Sequence, residues 1–203
     1  VEGRPLDASF AERVAEPLGI PGLGFAREPR EGAAPTEAGR RYETRLAGTE
    51  ARGIEPEAVA IRGTVHDGNA AALDGVAGHA GLFGTASETA AAVREWIDGE
   101  RLPWGGAADR RFRRVAGGNR TEGWVAAAGS GAARGALPEA ALGHLGFTGT
   151  SAWFDPERGS SWVLLSNRVC PEVQDRGFEP PRRAFHRAGA FLVARGATSD
   201  TAD

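Results

Sequence analysis

Apolar positions along the chain fall into a few short periodic stretches separated by long polar, glycine-rich ones. Phe10, Val14 and Leu18 recur four apart, one face of a helix that opens near Asp7. Pro17 is expected to stop it. From Gly19 to Gly63 no period is sustained around the lone Tyr42, which predicts a long irregular connection with short ordered pieces. A connection of that length is either functional or packed against something else. Thr85 to Gly99 reads as a helix: Thr85 and Glu88 form a capping box, Ala90, Val93, Trp96 and Ile97 make the inner stripe, and Gly99 is the stop. Arg101 to Leu142 mixes the basic piece Arg110 to Arg114 with Gly- and Ala-rich turns and predicts a surface segment leading toward a sheet. Ser151 to Phe154 and Ser161 to Asn167 flank Asp155-Pro156-Glu157-Arg158-Gly159, the signature of an antiparallel hairpin. Trp162 to Leu165 is apolar on both faces, so this strand is expected inside a covered sheet. Pro181 then opens a last helix with Ala184, Phe185, Ala188, Phe191 and Leu192 inward and Gly196 at its end. Residues 197–203 read as a frayed tail, and no internal repeat is found.

Composition narrows the chemistry. The 203 residues are 41% apolar and 25% charged, an ordinary globular balance, and the net charge of -3 gives no electrostatic reason to expect nucleic acid or an anionic membrane. The longest apolar runs fall far short of the roughly 20 residues of a bilayer span. All 24 basic residues are Arg, so a Schiff-base amine, a phosphate-loop Lys, a Ser-x-x-Lys pair and a Lys-Thr-Gly strand are all excluded. Met does not occur either, and a chain opening at Val1 is expected to be cut from a longer product, the main reading, or begun at an unusual start codon. Any leader would then stand before Val1, which leaves localisation unknown. Cys170 is the single cysteine, so neither an intrachain disulfide nor a cysteine zinc cluster can form.

Two stretches carry candidate chemistry. His144-Leu145-Gly146-Phe147-Thr148-Gly149-Thr150-Ser151 precedes the hairpin, with small residues that let backbone N–H groups face a ligand beside one imidazole. The same glycines also suit a tight turn between strands, with His144 packed on Phe147. The second stretch places His66, Asp67, Asn69 and His79 in glycine-rich loop. Their spacing matches neither a helical His pair nor a zinc ribbon, so a metal role for His66, Asp67 and His79 is the lesser alternative. Capping of backbone N–H groups and locking of two loops through the imidazoles is the main one. His186 reads as a surface imidazole without a role, and none of the eight serines has a Lys three residues on or a Gly-x-Ser-x-Gly elbow.

The segments VHDGNAAALDGVAGHAGLFGTASETA and GHLGFTGTSAWFDPERGSSWVLLSNRV, with PLDASFAERVAEPLGIPGLGF before them, resemble the serine beta-lactamase-related hydrolases. That family includes penicillin-binding proteins, class C beta-lactamases and related esterases. The likeness runs from about Leu6 to Arg195 and is weakest over Arg101 to Leu142. It implies an α+β fold, the C-terminal part of the serine beta-lactamase and DD-peptidase architecture: an antiparallel sheet with flanking helices, lacking the N-terminal strands and the nucleophile helix. Residues 1–196 would form one partial domain, with helix and loop over 1–140 and sheet hairpin plus C-terminal helix over 141–196.

The family's catalysis uses a Ser-x-x-Lys, a Tyr-x-Asn or Ser-x-Asn loop, and a Lys-Thr-Gly or His-x-Gly strand. Only the third is recoverable here, as His144-Leu145-Gly146. The resemblance implies that His144 lies beside the nucleophile and the substrate carboxylate, that Gly146 gives close backbone access, and that the Phe147 N–H is one oxyanion donor. It places His66, Asp67, Asn69, His79 and Thr148 near substrate. Tyr42, followed by Glu43-Thr44, is not the family tyrosine. No cofactor or metal is implied, and the partner would be a small acyl substrate or peptidoglycan peptide of the intact protein. This chain alone is expected to be inactive. Its sheet edge, bare without the N-terminal strands, is expected to invite strand addition and make the isolated chain sticky or partner-dependent. A binding module that keeps this wall but has shed its chemistry is the alternative.

Overall fold

Three successive stretches, Leu6–Phe10, Ala11–Ala15 and Glu16–Leu18, form one helix, α1, in the computed structural model, which describes residues 3–39, 60–99, 101–102, 118–121, 123–173 and 177–199. The middle stretch is wound with wider π-type bonding. Pro17 does not stop the helix but sits within its last turn, and Gly19, at φ 67°, closes it in the left-handed region. Proline lacks the N–H that would bond back four residues, and a widened turn ahead of it accommodates that loss. Ala15 and Leu18 are buried, and Phe10 meets Phe25 edge-to-face at 5.9 Å.

The chain divides into two compact units. The first holds residues up to Glu88 together with Ser166–Arg176. Within it, β1 (Gly24–Phe25) and β2 (Pro35–Ala38) fall inside the stretch read as irregular. β3 (Ala60–Arg62) pairs antiparallel with β2 across a bulge. The short helix α2 (Gly68–Ala71) follows, and β4 (Leu82–Phe83) pairs with β1. Val65, Ala70 and Ala77 make a small buried cluster. Tyr42 and Arg110 to Arg114 lie outside the described residues.

The helix α3 (Ala86–Asp98) starts as its sequence dictates. The Thr85 N–H donates to the Glu88 carboxylate at 2.9 Å, the Glu88 N–H donates to Thr85 Oγ1 at 3.2 Å, and Gly99 follows at φ 67°. The second unit begins at Thr89, inside this helix, and is built on a four-stranded antiparallel sheet. In order, the strands are β5 (Val125–Ala126), β6 (Leu142–Leu145), β7 (Ser151–Asp155) and β8 (Ser160–Leu164). Side chains alternate across the sheet. Leu142 and Phe154 face Val93 and Ile97 of α3, whereas Trp153, Trp162 and Leu145 face Ala190 and Val193 of the last helix, α4 (Glu179–Ser199). Helices and antiparallel strands of this kind make an α+β chain.

Three expectations need correction here. Residues 118–142 are not a surface segment: Ala126, Ala127, Ala132, Ala133, Ala136, Leu137 and Ala141 are all buried. Alanine carries weak hydrophobic signal, yet Ala127, Ala133 and Ala141 pack with Trp153 and Ala126 with Phe154. β8 is the terminal strand of the sheet among the described residues, not an inner one. Apolar residues on both faces report what covers those faces, and the hydrogen-bonding edge lies at right angles to them. The third correction concerns α4, which continues through Gly196 to Ser199 and turns the opposite face inward. Arg182 and His186 are buried, with Gly189, Ala190 and Val193 continuing their stripe, while Phe191 and Leu192 are 59% and 68% exposed. Gly189 is required there, because a Cβ would lie 2.7 Å from Trp162 Cδ1.

Candidate functional site

Side chains able to do chemistry fall into one group in each unit. In the second unit, β6 carries His144 opposite Ala152 and on the same face as Leu142. His144 is exposed, and its Nδ1 lies 2.9 Å from the Leu145 carbonyl. A carbonyl only accepts, so Nδ1 carries a proton there and Nε2 is the ring nitrogen left for another partner. Such a nitrogen can accept a proton or a hydrogen bond from a hydroxyl.

The turn after β6 is closed by the Gly146 N–H donating to the Thr150 carbonyl at 2.8 Å and the Gly149 N–H donating to the Gly146 carbonyl at 3.2 Å. A Cβ at 146 would meet Thr150 Oγ1 at 2.1 Å and force that hydroxyl to turn away, and Gly149 adopts φ 110°. Phe147 stands out from this turn at 46% exposure, and Thr148 beside it is half-buried.

Behind the turn sits a polar cluster that the sequence reading missed. Arg182 Nε donates to the Gly149 carbonyl at 2.9 Å, and its Nη2 donates to the carbonyls of Gly146 and of Thr150, the latter at 3.2 Å. One turn along α4, His186 Nε2 lies 3.0 Å from Ser151 Oγ. Burial, aided by the Arg182 cation, lowers the His186 pKa from 6.5 to about 4, so this ring is neutral near pH 7. Ser151 and His186 form a serine–imidazole pair, yet they are only 4% and 0% exposed. An acyl donor cannot reach that hydroxyl, and the pair serves to fasten α4 to β7. The signal that finds this cluster is the 182, 186, 189, 193 spacing, a helical stripe that is polar at one end.

In the first unit, His66 Nε2 lies 3.0 Å from Glu37 Oε2, with both residues buried. Asp67 caps α2, accepting from the Ala70 N–H at 2.8 Å, and the same oxygen lies 3.0 Å from His79 Nε2. Burial pushes the Asp67 carboxyl up, but the Ala70 N–H and His79 outweigh it and hold the carboxyl below its ordinary value. Asn69 is exposed. Asp67 and His79 thus do the capping and loop-locking expected of them, while His66 takes a partner, Glu37, that no local pattern announces. Each imidazole reaches a different carboxylate, and among the described residues no group of three or more His, Cys, Asp and Glu side chains could hold a metal ion.

The Beta-lactamase family model matches residues 1–183. This chain belongs to the Beta-lactamase family. A comparison with curated proteins finds no match. A Beta-lactamase domain suggests a serine-hydrolase-like fold. Among the described residues no helix is long and apolar enough to cross a membrane.

Proposed function

We propose that this chain is the C-terminal portion of a beta-lactamase-related serine hydrolase, residues 1–196 forming one partial domain. The intact protein forms an acyl-enzyme with an amide, ester or beta-lactam substrate and hydrolyses it. The observation that carries this reading is His144: exposed near the end of β6, with Nδ1 held on the Leu145 carbonyl, beside the glycine turn that leads into β7. In this reading the serine and its lysine base come from a segment outside the 203 residues, and His144 Nε2 faces the reacting hydroxyl and the substrate carboxylate. The Phe147 N–H donates to the oxyanion as the tetrahedral intermediate forms. Thr148, in the turn after β6, is assigned to the surroundings of the substrate. Alone, the chain lacks a nucleophile pair and turns nothing over. The exposed outer face of α4 and the terminal position of β8 favour partner or strand addition in the isolated chain.

The test is kinetic. In a gene product that carries this chain together with a Ser-x-x-Lys segment, His144→Ala is expected to lower kcat for p-nitrophenyl acetate by about 100-fold, the low end for loss of a positioned proton-transfer group. An unchanged kcat in a folded variant removes His144 from the chemistry and favours the binding-module alternative.

A further inference from the structure

We propose that Arg182 is a positioning residue that aims the Phe147 N–H, by holding the carbonyl of the Gly146–Phe147 peptide from behind. Three carbonyls, those of Gly146, Gly149 and Thr150, converge on one guanidinium. Arginine is suited to this because its five N–H donors lie in a rigid planar fork and its charge persists at any ordinary pH. Two backbone bonds within the turn close it, and the fork adds a further fixed point on the side of α4 by holding three of its carbonyls at once. The Gly146–Phe147 peptide is trans, so its C=O and N–H point to opposite edges of one plane. Fixing the oxygen on Arg182 therefore fixes the direction of the Phe147 N–H away from α4. A cation on the oxygen also polarises the amide and strengthens its N–H as a donor.

His186 and Ser151 reinforce the arrangement. Their hydrogen bond lies one helical turn from Arg182 and at the first residue of β7, so α4 is fastened to the strand just after the turn it grips. Arg182 and His186 sit four apart on the face of α4 that packs on the sheet, which makes the helix a rigid backing for the turn. The inference rests on the reading of the Phe147 N–H as an oxyanion donor, and its experiment separates the two.

Nuclear magnetic resonance of the isotope-labelled 203-residue chain tests the clasp itself. In the unsubstituted chain the Arg182 Nε–H is expected as a resolved signal protected from exchange. Arg182→Gln and Arg182→Lys are expected to move or broaden the Phe147 amide while the amides of Trp153 and Trp162 stay in place, and Arg187→Gln, on the exposed side of α4, is expected to leave all of them unchanged. A Phe147 amide that stays put in a folded Arg182 variant overturns the proposal. So does an unprotected Arg182 Nε–H in the unsubstituted chain, a result that stands even where neither variant folds. In the gene product with the Ser-x-x-Lys segment, Arg182→Lys is expected to lower kcat for p-nitrophenyl acetate at least about tenfold with KM held within about twofold, the pattern of a lost transition-state donor. An unchanged kcat contradicts the catalytic consequence. If that product hydrolyses no acyl substrate at all, the functional reading fails and the resonance experiment still decides the clasp.

Discussion

Acidification from pH 7 to pH 4 is expected to cost the folded chain about 3 kcal/mol through His186 alone. Its pKa is lowered to about 4 because burial, and then the neighbouring Arg182 cation, oppose a charge on the ring. An unfolded histidine takes up its proton near the ordinary value of 6.5, so between these two values the unfolded state binds more protons and is favoured. The contribution is fully present above about pH 6.5, declines as the pH falls, and is gone near pH 4. The carboxylates of Asp7, Asp67 and Glu88, all held below their ordinary values, begin to add their own loss as the pH falls through 4.5 for Glu88 and 3.8 for the two aspartates. Urea midpoints measured at intervals across this range provide the check. His186→Gln is expected to flatten the fall between pH 6.5 and pH 4.5, and identical slopes in the two proteins contradict the burial of a neutral ring.

Trp153→Ala is expected to destabilise the second unit by about 3–5 kcal/mol, the range for emptying a fully buried aromatic site. Trp153 is 0% exposed and is packed among Ala127, Ala133, Leu137, Ala141 and Trp162, and the three alanines are too short to fill the space its ring would leave. Gly143 shows how tightly the ring is held, because a Cβ there would lie 2.4 Å from Trp153 Cδ2 and 2.3 Å from the Ala152 carbonyl. Gly143→Ala therefore stays costly even in the Trp153→Ala background, where the carbonyl clash remains. Chemical denaturation of the three variants at low protein concentration measures both effects. A Trp153→Ala loss below about 1 kcal/mol would mean that the sheet does not rest on this side chain.

How much of this was legible in the sequence depends on how local each cause is. The capping box of Thr85 and Glu88, the Asp155 to Gly159 turn and the capping role of Asp67 involve residues within a few positions of one another, and all stand where the sequence puts them. The inner face of α4 was misread because hydrophobicity was taken as the guide to burial. The buried stripe instead begins with Arg182 and His186, which are needed by carbonyls and a hydroxyl more than thirty positions earlier. Glu37 was illegible for the same reason, since its partner His66 is 29 positions away. Glu95 belongs with them: it lies buried on α3, and its carboxylate accepts the N–H groups of Arg101 and Leu102 at 2.6 and 2.9 Å. Buried polar groups announce themselves only through partners. The proposed site follows the same division, its His-x-Gly stretch put forward from resemblance and its supporting arginine only from three dimensions.

The most direct measurement compares labelling by a fluorophosphonate probe of the 203-residue chain and of a gene product joining it to a Ser-x-x-Lys segment, with the labelled residue located by mass spectrometry. The longer product should be labelled at the serine of that segment and the shorter chain not at all. Stable labelling of a serine within the 203 residues, lost on substituting that serine, would contradict the claim that this chain supplies only one wall of an acyl-transfer site.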